Sequence, residues 1–203
     1  MEPDFWNGRY EGEGYLFGVD PAKPLAAIAE TLPTSGTALC LADGEGRNSV
    51  FLANRGLKVT AFDFAENALV KARQLAADAY VDVSFHQADI TQWDWDAQQF
   101  DLVAGVFFQF LPPDLRAPVF DGIIRALAPG GTLYILGYRP EQIGRGTGGP
   151  PYPENTYTEA LLRDAFSALD IKHLRSWDED LNEGRGHNGP SALIELLAEK
   201  PAS

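Results

Sequence analysis

The chain has 203 residues, of which 45% are hydrophobic, and its 29 acidic and 16 basic residues give a formal net charge of −13. A field of this sign repels phosphate backbones and anionic lipid surfaces, so the composition argues against a nucleic-acid partner and against a membrane partner. The length fits one domain that can bury a substantial hydrophobic core.

Cysteine usage and the N-terminus indicate a reducing compartment. Cys40 is the single cysteine, so no internal disulfide can form, and its apolar neighbours predict a position in the core. No run of about 18 apolar residues predicts a membrane span. Residues 1–4 contain neither the basic nor the apolar region of a signal peptide. We therefore expect a cytoplasmic protein.

Strand-like and helix-like segments alternate along most of the chain. Short apolar or alternating runs predict strands at 37–42, 57–62, 81–85, 100–108 and 132–136. Helical patterns with their end signals predict helices at 24–31, 48–55, 66–77 and 115–127. Strands that alternate with helices favour an α/β fold with a parallel sheet covered on both faces.

The C-terminal part departs from this rhythm. Two further strands are predicted at 171–177 and 191–198, and the polar stretch 178–189 between them is predicted to be a loop. Because no helix separates these strands, we expect them to pair antiparallel. The Gly- and Pro-containing stretch 144–153 is predicted to be a loop within the domain, since too little chain follows for a second core.

A turn with two glycines follows the first predicted strand. Gly44 and Gly46 let the backbone pass close to a ligand, and the next helix presents free N–H groups at its start. The same pattern also fits a tight strand-to-helix turn without a ligand. Its position favours binding, because ligands of open α/β sheets lie beyond the carboxyl ends of the central strands. A nicotinamide fingerprint would need a third glycine, and residues 47–49 contain none.

Asp63 ends the second predicted strand, where a carboxylate can accept the hydroxyls of an adenosine ribose. Asp63 and Glu66 also fit a capping box, with Asp63 as the N-cap of the following helix. The preceding glycine turn favours ribose binding.

Asp89 follows the third predicted strand. Its carboxylate could accept the exocyclic amine of adenine while Ile90 packs on the ring. The alternative is an Asp that only forms a turn. We favour the ligand contact.

Three stretches of the chain carry a family resemblance: residues 6–10 with 15–18, residues 41–48, and residues 182–184 with 187–189. The Gly44-Glu45-Gly46-Arg47-Asn48 string is specific, whereas the Pro129-Gly130-Gly131 turn is widely shared. Together they resemble the class I S-adenosylmethionine-dependent methyltransferases, in particular the tellurite-resistance and thiopurine methyltransferase-like group.

The resemblance implies a Rossmann-like three-layer sandwich, a seven-stranded and mostly parallel sheet with an antiparallel last strand, and S-adenosylmethionine as the methyl donor. It divides a single domain, 1–203, into an N-terminal lid and helix (1–31), a cofactor-binding core (37–137) and a C-terminal helix and hairpin (158–200). No metal site is expected. The cofactor-binding positions that it implies are Tyr15, Ala42, Asp43, Gly44, Gly46, Arg47, Asn48, Asp63, Phe64, Asp89, Ile90 and Val106.

The chain departs from the family pattern at several positions. Ala42 replaces the first glycine of the motif, and Cys40 replaces the usual acidic residue at the end of the strand. Phe110 stands where similar proteins often carry His, and Ala22 stands where Asn usually follows Pro21. The missing His means that the family's acceptor cannot be carried over to this chain.

Methyl transfer from a sulfonium needs orientation and exclusion of water more than acid–base groups. We expect a small-molecule acceptor with a soft nucleophile, a thiol or a selenium or tellurium oxyanion. Such an acceptor needs little help with deprotonation, and the sequence shows no obvious Asp–His pair or Lys that would act as a general base. Aromatic residues are expected to wall the methyl group or to pack in the core; they are Trp6, Tyr10, Tyr15, Phe17, Phe107 and Phe110.

Arg9, Arg185 and His187 are the predicted catalytic and acceptor-binding residues. In an acidic protein an anionic acceptor needs local positive charge, an Arg can hold an oxyanion, and neutral His187 can take a proton. Arg185 and His187 equally fit solvated turn positions. Arg9 could instead bind the carboxylate of the cofactor.

Other functions stay open at this point. A non-catalytic S-adenosylmethionine-binding protein would keep the glycine turn and Asp63 but lack an acceptor cavity. A small-molecule O-methyltransferase would need a base, for which His187 is the attractive candidate. A nicotinamide oxidoreductase is disfavoured, because the glycine turn lacks the third glycine of its fingerprint and because its dinucleotide-binding domain would not end in an antiparallel hairpin. Both a monomer and a homodimer are compatible with the sequence.

Overall fold

The computed structural model describes residues 3–202, with side chains from residue 5 onward. Its helices are α1 (Pro3–Arg9), α2 (Lys23–Ala27), α3 (Arg47–Asn54), α4 (Glu66–Asp78), α5 (Pro113–Ala126) and α6 (Glu159–Ala165). Its strands are β1 (Thr37–Leu41), β2 (Lys58–Asp63), β3 (Val83–Gln87), β4 (Phe100–Val106), β5 (Leu127–Tyr138), β6 (Asp170–Glu183) and β7 (His187–Glu199).

Within the described residues, seven strands form one sheet in the order β3-β2-β1-β4-β5-β7-β6. β7 runs antiparallel to β5 and to β6, and the other neighbouring strands pair parallel. The predicted α/β fold with one reversed strand at its end is therefore confirmed. No described helix is long and apolar enough to cross a membrane.

Alternate residues of the central strands fill two separate cores, because successive side chains of a strand point to opposite faces of the sheet. Leu39 and Leu41 of β1 pack on one face with apolar residues of α5 and α6. Ala38 and Cys40 pack on the other face with residues of α2 and α3. The burial of Cys40 confirms its predicted core position. Helices on both faces make three layers.

The C-terminal hairpin differs from its prediction. Stretch 178–189 was predicted to be a loop, but β6 continues to Glu183, β7 begins at His187, and Asp178 pairs with Ala192 within the ladder. The strand period is present here, with Leu181 and Glu183 buried and Asn182 between them exposed. The prediction was wrong because an acidic side chain occupies a buried position.

Two other boundaries also differ. The predicted helix at 24–31 is a short α2 followed by a 3₁₀ turn at Ala29–Thr31. β5 begins at Leu127, directly after α5, and not at residue 132. The ladder between β4 and β5 is irregular between Phe100 and Leu102, which lets the chain around Gly130 stay in the strand. Shifts of two residues occur at the carboxyl ends of β3, β4 and β5, which lie at Gln87, Val106 and Tyr138 and not at residues 85, 108 and 136.

Candidate active site

A cavity of about 720 Å³ lies at the edge of the sheet where the parallel strands end. Ala42, Asp63 and Val106 bring the ends of β1, β2 and β4 to its wall, and Tyr138 brings the end of β5. His187 reaches the same edge because β7 runs in the opposite direction and starts there. The cavity is therefore at the position where open α/β sheets bind ligands.

The two glycines of the β1–α3 turn have different roles. Gly44 lines the cavity with φ of +59°, and a Cβ at this position would lie 2.9 Å from the Tyr10 hydroxyl. Gly46 does not line it; a Cβ there would lie 2.8 Å from the Cβ of Ala72, on α4. The missing side chain of Gly44 thus leaves space at the cavity wall beside Tyr10, and that of Gly46 allows α4 to pack closely against the turn.

Asp63 is 5% exposed and has both carboxylate oxygens in use. Oδ2 accepts the Gly44 N–H at 2.9 Å, and Oδ1 accepts the Ala65 N–H at 2.9 Å. Burial raises the pKa of Asp63, and these two N–H donors oppose the rise. The capping-box alternative was wrong, because the N-cap of α4 is Ala65 and the Glu66 carboxylate contacts Arg73 at 3.2 Å.

Asp43 is a second buried carboxylate in the cavity wall. It accepts hydrogen bonds from the Ser49 hydroxyl and, at 3.3 Å, from the Ser49 N–H. Burial raises the pKa of Asp43 to about 7; Ser49 opposes this rise and the charge of Asp63 adds to it. Asp43 is therefore ready to ionise when a cation binds beside it.

Arg47, Glu183 and His187 form a buried polar group between the glycine turn and the terminal hairpin. The Arg47 Nη2 atom is 2.8 Å from Glu183 Oε2, and Nη1 donates to the Phe17 carbonyl at 3.1 Å. His187 Nδ1 is 3.6 Å from Glu183 Oε2. Glu183 Oε1 also accepts the Lys23 N–H at 2.8 Å. One carboxylate thus links α3, α2 and β7.

These neighbours set the charge of both titrating groups. Burial by itself would raise the pKa of Glu183, but His187, Arg47 and the Lys23 N–H outweigh it and lower that pKa to about 2. Burial lowers the pKa of His187, although Glu183 opposes the change. Glu183 is therefore ionised and His187 neutral at neutral pH, which is the state that a general base requires.

Aromatic rings surround the His187 imidazole. Its centroid is 4.4 Å from those of Phe17 and Phe107 and 5.7 Å from that of Tyr138. Phe107 has φ of +56°, an unusual value for a residue with a side chain. Because Nδ1 faces Glu183, Nε2 is the nitrogen that remains for a ligand.

The N-terminal segment covers this site, and residues 3–18 are called the lid from here on. The Arg9 guanidinium lies over the ring of Trp6, 4.9 Å from its centroid, and Arg9 lines the cavity. The Leu16 N–H donates to Glu45 Oε2 at 2.7 Å, and the Leu16 carbonyl accepts the Gly186 N–H at 3.0 Å. The lid is thus attached to the glycine turn and to the terminal hairpin.

The structure brings most of the predicted site residues together. Those that line the cavity are Arg9, Ala42, Asp43, Gly44, Arg47, Asn48, Asp63, Phe64, Val106 and His187. Asn48 lines it while its Oδ1 accepts the Ala22 N–H at 3.0 Å, which fixes the start of α2.

Other predicted residues do not line the cavity. Asp89 is exposed, and its Oδ1 accepts the Thr91 N–H and hydroxyl, each at 2.8 Å, as in the alternative of a turn-forming Asp. Ile90 belongs to the hydrophobic core. The Tyr15 hydroxyl donates to the Lys71 carbonyl at 3.3 Å, and Arg185 lies in the hairpin turn without reaching the wall. Gly46, as described, packs against α4.

Sequence reasoning missed the roles of Glu183, Gln109, Tyr138 and Asn155. Glu183 was visible only as part of a resembling string. Gln109, Tyr138 and Asn155 line the cavity but carry no local motif. One signal was present, since the Gly- and Pro-rich stretch 144–153 is typical of a loop that approaches a ligand, and residues 148–152 do line the cavity.

A family model described as a methyltransferase domain matches residues 38–131. This segment, which contains the glycine turn and Asp63, is therefore similar to a methyltransferase domain. Trans-aconitate 2-methyltransferase from Rhizobium meliloti (strain 1021) is 29% identical over 182 residues, which cover 89% of this chain and 62% of the relative. The chain thus spans less than two thirds of that relative's length.

Solved structures confirm the fold. One, from work on the conversion of a disulfide bond into a thioacetal group during echinomycin biosynthesis, has a TM-score of 0.81 at 17% identity and covers 100% of this chain and 93% of that chain. TehB from Haemophilus influenzae has a TM-score of 0.71 at 18% identity, over 98% of this chain and 66% of TehB. The fold is that of S-adenosylmethionine-dependent methyltransferases.

Proposed function

We propose that the protein transfers a methyl group from S-adenosylmethionine to a small molecule. One observation carries the proposal: one cavity has the glycine turn and Asp63, from the segment that matches a methyltransferase domain, in one wall and His187 of the terminal hairpin in another. A purely cofactor-binding protein would need no such second wall, so the cavity favours an enzyme over the non-catalytic alternative.

The cofactor wall fits S-adenosylmethionine. A carboxylate has about four lone-pair sites, and the backbone donors Gly44 and Ala65 use two of those of Asp63, which leaves acceptors for a ribose diol. The Asp43 carboxylate would face the positive charges of the cofactor. Because Gly44 has no side chain, the backbone of the turn can lie close to the bound cofactor. When bound, S-adenosylmethionine supplies an electrophilic methyl group on a positively charged sulfur.

S-adenosylmethionine held at the Asp43 and Asp63 wall would supply the methyl group, so that a bond to the acceptor atom would form as the bond to the cofactor sulfur breaks. His187 Nε2 takes the proton that the acceptor loses. Glu183 stabilises the resulting imidazolium, and the aromatic rings around His187 exclude water. Arg9 adds positive charge at the wall for an anionic acceptor.

The acceptor class rests on these groups. A soft nucleophile stays our first proposal. We favour a thiol over an already ionised selenium or tellurium species, because a thiol needs a general base and His187 lies beside Glu183, a contact that was not visible in sequence. The same pair favours O-methylation as the second candidate. The relative that acts on trans-aconitate supports a small acidic acceptor of this second kind. Membership of the tellurite-resistance-like group stays a proposal, supported by the likeness to TehB.

Calorimetry and product analysis test the proposed function. We expect micromolar binding of S-adenosylmethionine and S-adenosylhomocysteine, no binding of NADH, and methylated product from a set of thiols, selenite, tellurite, phenols and carboxylic acids. His187→Gln should abolish product while S-adenosylhomocysteine affinity holds. Preference for the dinucleotide would overturn the proposal. Cofactor binding without product from any acceptor would instead support the non-catalytic alternative.

A further inference from the structure

Asn155 lies in the loop between β5 and α6 and lines the cavity. The residue is 6% exposed, and its side-chain Oδ1 atom has no hydrogen-bond partner in the described part of the chain. A buried oxygen without a partner costs free energy, so its presence in a native protein needs a reason. A donor on a bound ligand supplies one.

The backbone around Asn155 is held firmly. Gln109 Nε2 donates to the carbonyls of Tyr138 at 2.7 Å and of Asn155 at 3.4 Å. Arg116 Nη1 donates to the Glu154 carbonyl at 2.7 Å. The backbone that carries the unpartnered oxygen is therefore held in place at the cavity wall, as a recognition group needs.

Apolar side chains line much of the cavity that Asn155 borders. Phe107, Phe110, Pro150 and Pro151 line the same cavity. Tyr152 belongs to this wall as well and is 60% exposed. A planar and mostly apolar molecule fits such a wall, with few polar groups to fix its orientation.

We propose that Asn155 selects the methyl acceptor. The inference rests on the proposed methyl transfer and names the acceptor class: an aromatic thiol or phenol that carries a second O–H or N–H group. Asn155 Oδ1 accepts this second group, while His187 faces the atom to be methylated. An analogue without the second donor leaves Oδ1 unpaired, and sites of this kind reject such analogues strongly.

Binding of matched compounds to protein saturated with S-adenosylhomocysteine tests this assignment without turnover. Thiophenol lacks the second donor, and 3- and 4-mercaptophenol carry it at two distances. We expect calorimetry to show at least one mercaptophenol binding about tenfold more tightly than thiophenol. Equal affinities, or no binding of any of the three, would overturn the inference. Failure to bind S-adenosylhomocysteine would overturn the proposed function itself.

Substitutions test whether Asn155 causes the preference for mercaptophenols over thiophenol. Asn155→Leu removes the oxygen at similar size, and Asn155→Ala serves if the larger side chain prevents folding; both should bring the affinity ratio close to one. Asn155→Asp keeps an acceptor oxygen and should keep the preference. Asn54→Leu, on the exposed end of α3, is the matched control and should change nothing. A preference that survives Asn155→Leu and Asn155→Ala would contradict the assignment.

Discussion

Glu183 and His187 pair across the β6–β7 hairpin, and their side chains turn inward together, with Glu183 Oε2 3.6 Å from His187 Nδ1. Both are buried, and Arg47 Nη2 contacts the same carboxylate oxygen, Glu183 Oε2, at 2.8 Å. The pair is formed by the last residue of one strand and the first residue of the next. The hairpin itself therefore sets the orientation of the proposed base.

Replacing Glu183 by Gln should change the pH dependence of catalysis. Glu183 opposes the burial that lowers the pKa of His187, so without its charge that pKa falls further. The acid limb of the kcat profile should move to lower pH, and kcat at the plateau should fall because the base is weaker. An unchanged acid limb in pH–rate measurements, with kcat merely reduced, would assign Glu183 a structural role only.

Asp63→Ala should weaken cofactor binding. Hydrogen bonds to a charged group contribute about 1.5–3 kcal/mol each, so the dissociation constant of S-adenosylhomocysteine should rise at least about tenfold. Asp89→Ala is the matched control, since Asp89 also follows a strand but lies outside the cavity lining. Calorimetry of both variants measures the difference. Equal affinities for the two variants would remove Asp63 from the cofactor site.

Replacing Arg9 and replacing Arg185 should have different effects on the kinetic constants. Arg9 lines the cavity and Arg185 does not, although the sequence predicted both for the acceptor. Arg9→Ala should raise KM for an anionic acceptor several-fold at unchanged cofactor affinity, and Arg185→Ala should leave both constants unchanged. A rise in the dissociation constant of S-adenosylhomocysteine in Arg9→Ala would instead place Arg9 on the cofactor carboxylate.

Asp43 should make stability depend on pH. Its pKa is raised to about 7 in the folded protein from a value of about 4 in the unfolded chain, so folding favours its protonated form. The stability that this contributes is fully present below pH 4 and is lost as the pH rises through 7. Melting curves should therefore show the wild type losing stability relative to Asp43→Asn between pH 5 and 8. A constant difference across this range would contradict the raised pKa.

The sequence predicted the parallel core well because its central strands are largely apolar and end in recognisable turns. It also placed Asp63 and the glycine turn, since the residues of that wall lie close together along the chain. The polar extension of the hairpin was not predictable in the same way. The charge of the buried Glu183 is offset in part by Arg47, which is far away in sequence.

The acceptor side of the cavity was harder to predict for a related reason. Gln109, Tyr138 and Asn155 come from separate loops and strand ends, and hydrogen bonds between them exist only after folding. Asp89 follows a strand, as Asp63 does in the cavity wall, but its carboxylate is hydrogen-bonded to the neighbouring Thr91 and not turned to the cavity. Position along a strand predicts where a side chain lies, but its partners decide what it does.

The attachment of the lid has a kinetic consequence. Both backbone groups of Leu16 are hydrogen-bonded, to Glu45 and to Gly186, and Tyr10 lies over Gly44. We expect spent cofactor to leave by displacing this cover, so departure of product, and not the chemical step, should limit steady turnover. Rapid mixing should then show a burst of methylated product equal to one turnover, followed by a slower linear phase.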